Sequence, residues 1–116
     1  MDKGVIKKVN EPTDWVSPAF FVPKSNGKLR MVTDFTYINK FIKRPVHPFP
    51  SSSDIMKTVK PDSKFFLKMD ATSGYFQMPL DEESQHLTRF LLPSGRYMYC
   101  RGPMGLMPTN DEYCMR

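Results

Sequence analysis

The sequence is poor in cysteine, in histidine and in long apolar runs. Its two cysteines, Cys100 and Cys114, cannot build a disulfide framework, and no CxxC pair or Cys/His cluster offers a zinc site. A reduced, intracellular chain is expected. His47 and His86 stand apart, with no catalytic partner at a recognisable spacing. Apolar runs such as Ala19-Phe20-Phe21-Val22 and Phe65-Phe66-Leu67 are far too short to cross a bilayer. No basic-then-apolar leader follows Met1, so secretion is not expected either. There is no GxxxxGK[ST] loop and no GxSxG elbow, which leaves phosphate-loop and serine hydrolases without support. No internal repeat or low-complexity stretch is visible.

What is present reads as globular. The 116 residues are 40% hydrophobic, 13% aromatic and 25% charged, enough for one domain or part of one. Seventeen Lys and Arg against twelve Asp and Glu give a formal charge of +5. The excess lies entirely in residues 1–60, which carry eleven basic and five acidic groups; residues 61–116 carry six and seven. A basic segment joined to a near-neutral one suits a polyanion such as nucleic acid or nucleotide. A solvated basic surface is the alternative.

Eleven prolines cut the chain into short pieces. Residues 1–18 show little periodicity and read as an irregular or extended lead-in. Ala19 to Pro23 is a short strand, and Asn26-Gly27 behind it is a strong hairpin signal, because both residues tolerate positive φ. Leu29, Met31, Thr33 and Phe35 alternate with Arg30, Val32 and Asp34, which puts Arg30 and Asp34 on one face of the returning strand. Pro45, Pro48 and Pro50 make an extended connector. Ser51 and Asp54 have capping-box spacing for a helix through about Val59. Phe65 to Asp70 reads as a buried strand, and Asp81-Glu82-Glu83 as a solvated turn. Leu87–Leu92 and Tyr97–Arg101 form a second hairpin. Thr109 and Glu112 again have capping-box spacing, so a helix is expected from near Asn110. Its early stop suggests a fragment.

Asp70 is the sharpest chemical candidate. A carboxylate at the end of an apolar strand is costly to desolvate unless it is paired or bound to a cation. Small residues follow it, Ala71-Thr72-Ser73-Gly74, which let a ligand approach the backbone. Such a carboxylate beside backbone carbonyls suits a hard cation such as Mg²⁺. A turn-forming, capping Asp is the alternative. Lys24 and Arg30, near a hairpin tip, can close on a triphosphate, the Arg30 guanidinium making paired hydrogen bonds to phosphate oxygens. They can equally be solvated surface charges. Tyr75 and Phe76 can stack on a sugar or base, or belong to the core.

Together these pieces resemble a known family. Asp14-Trp15-Val16-Ser17-Pro18, Val22-Pro23-Lys24 with Ser25-Asn26-Gly27-Lys28-Leu29-Arg30, Asp34-Phe35 and Ile38-Asn39-Lys40 resemble the fingers of retroelement reverse transcriptases. His47-Pro48-Phe49-Pro50 resembles the connector to the palm. Phe66-Leu67-Lys68-Met69-Asp70-Ala71 followed by Thr72-Ser73-Gly74-Tyr75-Phe76-Gln77 resembles the first catalytic palm motif. Leu87-Thr88-Arg89-Phe90, Gly95-Arg96-Tyr97 and Pro103-Met104-Gly105-Leu106 resemble the hairpin and palm motif that follow. The order is colinear over nearly the whole chain, and gypsy-like long-terminal-repeat retrotransposons are the nearest type.

The resemblance implies an α+β fold: the fingers plus partial palm of a right-hand polymerase, incomplete. Residues 1–45 and about 78–101 would be fingers, and about 46–77 and 102–116 partial palm. It implies an RNA-directed DNA polymerase, a nucleotidyltransferase that adds deoxynucleotides to a primer on an RNA or DNA template by two-metal chemistry. Asp70 would be the catalytic aspartate that binds Mg²⁺ (or Mn²⁺), with the Ala71 carbonyl as a second ligand. Lys24, Arg30, Ser73 and Gly74 would hold the triphosphate. Tyr75 would lie under the sugar, and Met104 and Gly105 would meet the base pair and template. Partners would be template-primer, deoxynucleoside triphosphates and the absent palm, thumb and ribonuclease H segments. The setting would be cytoplasmic, in a retroelement particle, with no membrane. Two departures stand out. Pro108-Thr109-Asn110-Asp111-Glu112 stands where many relatives carry Asn-Ala-Pro, and no Tyr-x-Asp-Asp occurs. One carboxylate cannot assemble a two-metal clamp, so the chain alone is expected to be inactive. The alternatives are a non-catalytic basic nucleic-acid-binding module and a non-functional relic.

Overall fold

The structure, a computed structural model, describes residues 3–44 and 48–115. Pro45 and His47 of the connector lie outside the described residues. The elements in chain order are β1 (Ile6–Val9), β2 (Ser17–Pro23), β3 (Leu29–Thr33), α1 (Thr36–Asn39), α2 (Ser52–Thr58), a 3₁₀ turn (Gly74–Gln77), α3 (Glu82–Leu87), β4 (Phe90–Leu92), β5 (Gly95–Tyr99) and α4 (Met107–Met115). The class is α+β. The five strands form one sheet in the order β1-β5-β4-β2-β3, antiparallel except where Ser17 and Pro18 of β2 run parallel to Phe90 and Leu91 of β4.

The β2–β3 hairpin follows the expected alternation. Its turn is longer than a two-residue loop: Lys24 N donates to Lys28 O at 2.7 Å and Gly27 N to Lys24 O at 3.0 Å. Only Gly27 takes positive φ, at 75°, while Asn26 Oδ1 accepts from Lys28 N. This is the glycine-bulge form of hairpin. By the register Val22 and Arg30 share a face, and the two-residue period carries Lys24 onto it. The opposite face turns inward, so Thr33 and then Phe35 are buried.

Four local expectations need correction, while the lead-in is extended as expected where β1 pairs Ile6 with Tyr99 and Val9 with Arg96. Its inner lysines, Lys7 and Lys8, suit a short, exposed edge. The segment read as a solvated turn at Asp81-Glu82-Glu83 opens α3, where Asp81 accepts from Ser84 N at 3.0 Å and the acids meet the positive helix end. The second hairpin therefore starts at Phe90 rather than Leu87 and closes through Pro93-Ser94. Thr88 ends α3: its buried Oγ1 donates to Gln85 O at 2.7 Å and accepts from Tyr99 N at 3.0 Å. The helix expected from Asn110 begins earlier, at Met107. Its cap comes from a distant residue, as Asn39 Oδ1 accepts from Met107 N at 3.1 Å and Nδ2 donates to Gly105 O at 2.9 Å.

The fourth correction is the largest. Phe65 to Asp70 is neither a strand nor buried: Phe65 is 94% exposed and Leu67 84%. None of the five strands lies beside this segment, and a strand without neighbours cannot satisfy its backbone or cover its side chains.

The core gathers Phe35, Ile38, Phe90, Tyr97, Tyr99 and Leu106, with Phe76 packed against it. Phe90 lies 4.9 Å from the Tyr99 ring and 5.9 Å from Tyr97, within the range of favourable ring pairs. Burial pushes the Tyr99 phenol pKa up, and its hydrogen bond with Thr33 Oγ1 works the other way. Leu106 ties the segment before α4 into this core, and Phe76 does the same for the 3₁₀ turn. The cavity described next forms between them.

Candidate nucleotide site

Asp70 is followed by a tight backbone turn. Ser73 is left-handed, with φ 51° and ψ 44°, the sole non-glycine residue of positive φ among those described. A side chain disfavours that geometry by about 1 kcal/mol or more. Surrounding bonds hold it. Gln77 Nε2 donates to Thr72 O at 3.0 Å, Gly102 N to Met78 O at 2.9 Å, and Leu80 N to Cys100 O at 3.0 Å. The chain therefore leaves Asp70, turns at Ser73 and runs back along the extension of β5.

Helix α4 packs beneath that turn. Tyr75 Oη donates to Asn110 Oδ1 at 2.7 Å, and the Tyr75 and Tyr113 rings meet edge to face at 5.1 Å and 88°. Gly74 has to be glycine for space, since a Cβ there would stand 2.6 Å from Tyr113 Oη. Gly102 is equally tight, with a Cβ falling 2.9 Å from Thr109 Cγ2 and 3.1 Å from the Tyr75 carbonyl. On its far side α4 is anchored by a bidentate ion pair: Arg44 Nε and Nη2 donate to Asp111 Oδ2 and Oδ1 at 2.8 and 2.9 Å. Asp111 is 1% exposed, and its carboxylate holds the Arg44 pKa above the ordinary guanidinium value. Paired bonds of this kind are the strong form of charge-assisted hydrogen bond.

The result is a cavity of about 330 Å³ lined by Arg30, Asp70, Ala71, Ser73, Gly74, Tyr75, Phe76, Met104 and Tyr113. Seven of the site residues expected from sequence meet here: Arg30, Asp70, Ala71, Ser73, Gly74, Tyr75 and Met104. Lys24 and Gly105 do not line it. Lys24 sits at the hairpin tip on the face of Arg30. Gly105, at φ 89°, borders an adjoining space shared with Arg30 and Met104. Sequence reasoning missed Tyr113, Asn110, Asn39, Arg44 and Asp111, all of which act across long sequence separations. The spacing of Thr109 and Glu112 signalled a helix there without indicating which of its residues face the turn.

A hard cation would find oxygen ligands at Asp70 and the neighbouring Ala71 backbone, a fit to the one or two carboxylates that Mg²⁺ commonly takes. Among the described residues no group of three or more acidic, histidine or cysteine side chains is close enough to hold a metal. Among the described residues Asp70 is the one carboxylate that lines this cavity. No helix among the described residues is long and apolar enough to cross a membrane.

A basic hairpin over a turn that carries a carboxylate and an aromatic ring, on this mixed sheet, matches part of the fingers-and-palm region of a right-hand polymerase fold. The chain matches a solved structure of prototype foamy virus protease-reverse transcriptase with a TM-score of 0.78 at 24% identity, over 97% of this chain and 15% of that one. A foamy viral protease-reverse transcriptase solved in complex with double-stranded DNA matches with a TM-score of 0.78 at 23% identity, over 97% of this chain and 19% of that one. Residues 22–108 match the family described as reverse transcriptase (RNA-dependent DNA polymerase), and the chain belongs to that family. It is 37% identical over 95 residues to the enzymatic polyprotein of Carnation etched ring virus, covering 78% of this chain. It is 31% identical over 122 residues to the retrovirus-related Pol polyprotein from transposon 297 of Drosophila melanogaster, covering 99% of this chain. The chain spans only 14% and 11% of the length of these two relatives.

Proposed function

We propose that this cavity is the nucleotide-binding part of an RNA-directed DNA polymerase active site, in an element of the gypsy-like long-terminal-repeat type. The observation that carries the reading is the convergence of Arg30, Asp70, Tyr75 and Met104, from three separate stretches of sequence, on one space. Arg30 offers a planar pair of donors to a triphosphate, with Lys24 above it on the same hairpin face. The backbone at Ser73 and Gly74 lies open to phosphate oxygens, Tyr75 forms the floor under the sugar, and Met104 with Gly105 borders the template base pair. Asp70 and the Ala71 carbonyl would hold Mg²⁺, which supplies charge neutralisation to the reacting oxygens. The remaining carboxylates have to come from outside these 116 residues, so this chain by itself does not extend a primer.

The test uses the complete polymerase that carries this segment. Asp70→Asn preserves shape and removes charge, and primer extension is expected to fall by several orders of magnitude. Near-normal extension would overturn the reading, since a merely capping Asp70 tolerates Asn. Tyr75→Val is expected to raise ribonucleotide use relative to deoxynucleotide use. RNA binding by this chain should weaken steeply with salt, and alanine at Lys24, Lys28 or Arg30 should lower the salt slope by about one unit per lost phosphate contact. Salt-independent binding would argue against the basic hairpin as the nucleic-acid contact.

A further inference from the structure

We propose that Asn110 is a positioning residue that latches Tyr75 and so sets how strictly the site rejects ribonucleotides. The inference rests on the polymerase reading of the same cavity. An aromatic floor discriminates between sugars only if it stays in place, because a ring free to rotate makes room for a 2′-hydroxyl. Tyr75 is held from several directions. Its main chain follows the left-handed Ser73, and its carbonyl packs against Gly102. Its ring edge is fixed by Tyr113, and its hydroxyl donates to Asn110 Oδ1 at 2.7 Å across 35 residues of sequence.

The acceptor stands on a firm base. Asn39 caps the start of α4, and Arg44 grips Asp111, the residue next to Asn110. The latch also falls within Pro108-Thr109-Asn110-Asp111-Glu112, the segment that departs from the Asn-Ala-Pro expected by family resemblance. Read in order, Asn110 takes the place of the proline of Asn-Ala-Pro, and proline has no side-chain acceptor for a tyrosine hydroxyl. This chain therefore adds a polar restraint on its sugar floor to the ring contact with Tyr113.

The experiment measures single-nucleotide primer extension by the complete polymerase, read as the ratio of ribonucleotide to deoxynucleotide efficiency. Asn110→Ala and Tyr75→Phe should each raise that ratio about fivefold, the size expected for one lost hydrogen bond. The double variant should raise it no further, because both changes break the same bond. Asn110→Asp keeps an acceptor and should stay near the parent ratio. Equal losses with both substrates and an unmoved ratio would mean a purely structural role and overturn the inference, as would additive effects in the double variant. Should Asn110→Ala fail to fold, Tyr75→Phe, which removes one oxygen, decides the question alone. Asp70→Asn in the same assay separates the two levels. If it extends normally, the polymerase reading falls and takes this inference with it. If it is inactive while Asn110→Ala leaves the ratio unchanged, only the inference falls.

Discussion

Phe65 and Phe90 both sit in short, apolar, strand-like stretches, and they end in opposite environments. Phe90 is fully buried in the sheet, ringed by Tyr97 and Tyr99, while Phe65 is 94% exposed together with Phe66, Leu67 and Met69. The sheet region closes because β4 has β2 on one side and β5 on the other. Residues 64–70 have no strand on either side. The same contrast holds for helices: α4 is pinned by Asn39 and Arg44, whereas α2 buries no residue. The radius of gyration, 17.4 Å, reflects this division, against roughly 13 Å for a compact chain of this length. Apolar sequence supplies the need for burial, and neighbours decide whether it is met.

The sharpest way to break this comparison is to truncate both phenylalanines. Phe90→Ala should destabilise the chain by about 3–5 kcal/mol, enough to abolish a cooperative melt. Phe65→Ala should leave the melting temperature nearly unchanged. Paired charges at the exposed stretch, Phe65→Lys with Leu67→Glu, should reduce self-association on size-exclusion chromatography, since uncovered apolar strands are sticky. A large loss of stability in Phe65→Ala would show that the segment is packed in solution.

Caps give a smaller, sharper contrast. Asn39→Ala removes the cap of α4 and a bond to the Gly105 carbonyl, and should lower global stability by about 1–2 kcal/mol. Ser51→Ala breaks a full capping box, in which Ser51 and Asp54 satisfy each other's backbone. It should reduce helicity in circular dichroism without moving the global transition, because α2 is not packed on the core. A shift in melting temperature equal to that of Asn39→Ala would erase the distinction.

Acid titration should give the smallest effect. Thr36 holds the Asp34 carboxyl below its ordinary pKa through hydrogen bonds, and Ser84 does the same for Asp81 and Ser51 for Asp54. A depressed folded pKa adds stability that is complete above the unfolded value, near 4, and disappears as pH falls through the folded one. The melting temperature should be flat from pH 7 to about 5 and decline below about 4. Asp34→Asn and Asp81→Asn should flatten that acid limb, whereas Asp54→Asn should change only helicity. A decline already under way at pH 6 would require a different titrating group.

Part of the site was legible from local signatures in two of its three stretches, while Met104 was placed there only by the family resemblance. The alternation after Gly27 placed Arg30, and the small residues after Asp70 marked a close-approach turn. The caps at Ser51 and the hairpin at Asn26-Gly27 are likewise contacts within a few residues. Lys24 shows the limit of that reasoning: it shares a face with Arg30 but does not reach the cavity wall. Tyr113 and Asn110 were not legible, since nothing local distinguishes the side of α4 that meets Tyr75 from the side that carries Asp111 to Arg44.

The sequence by itself determined the basic half of the chain, the β2–β3 hairpin, the α2 cap and the aromatic residues available for a core, all effects of period, turn chemistry or charge that act over a few residues. Tertiary structure alone decided that Ile6–Val9 joins the sheet, that Asn39 starts α4 at Met107, that Asp111 is buried against Arg44, and that Phe65–Met69 stays uncovered. Those outcomes depend on which distant groups are present to complete a hydrogen bond, an ion pair or a buried face, and such partners are fixed by the packing of the sheet rather than by local propensity.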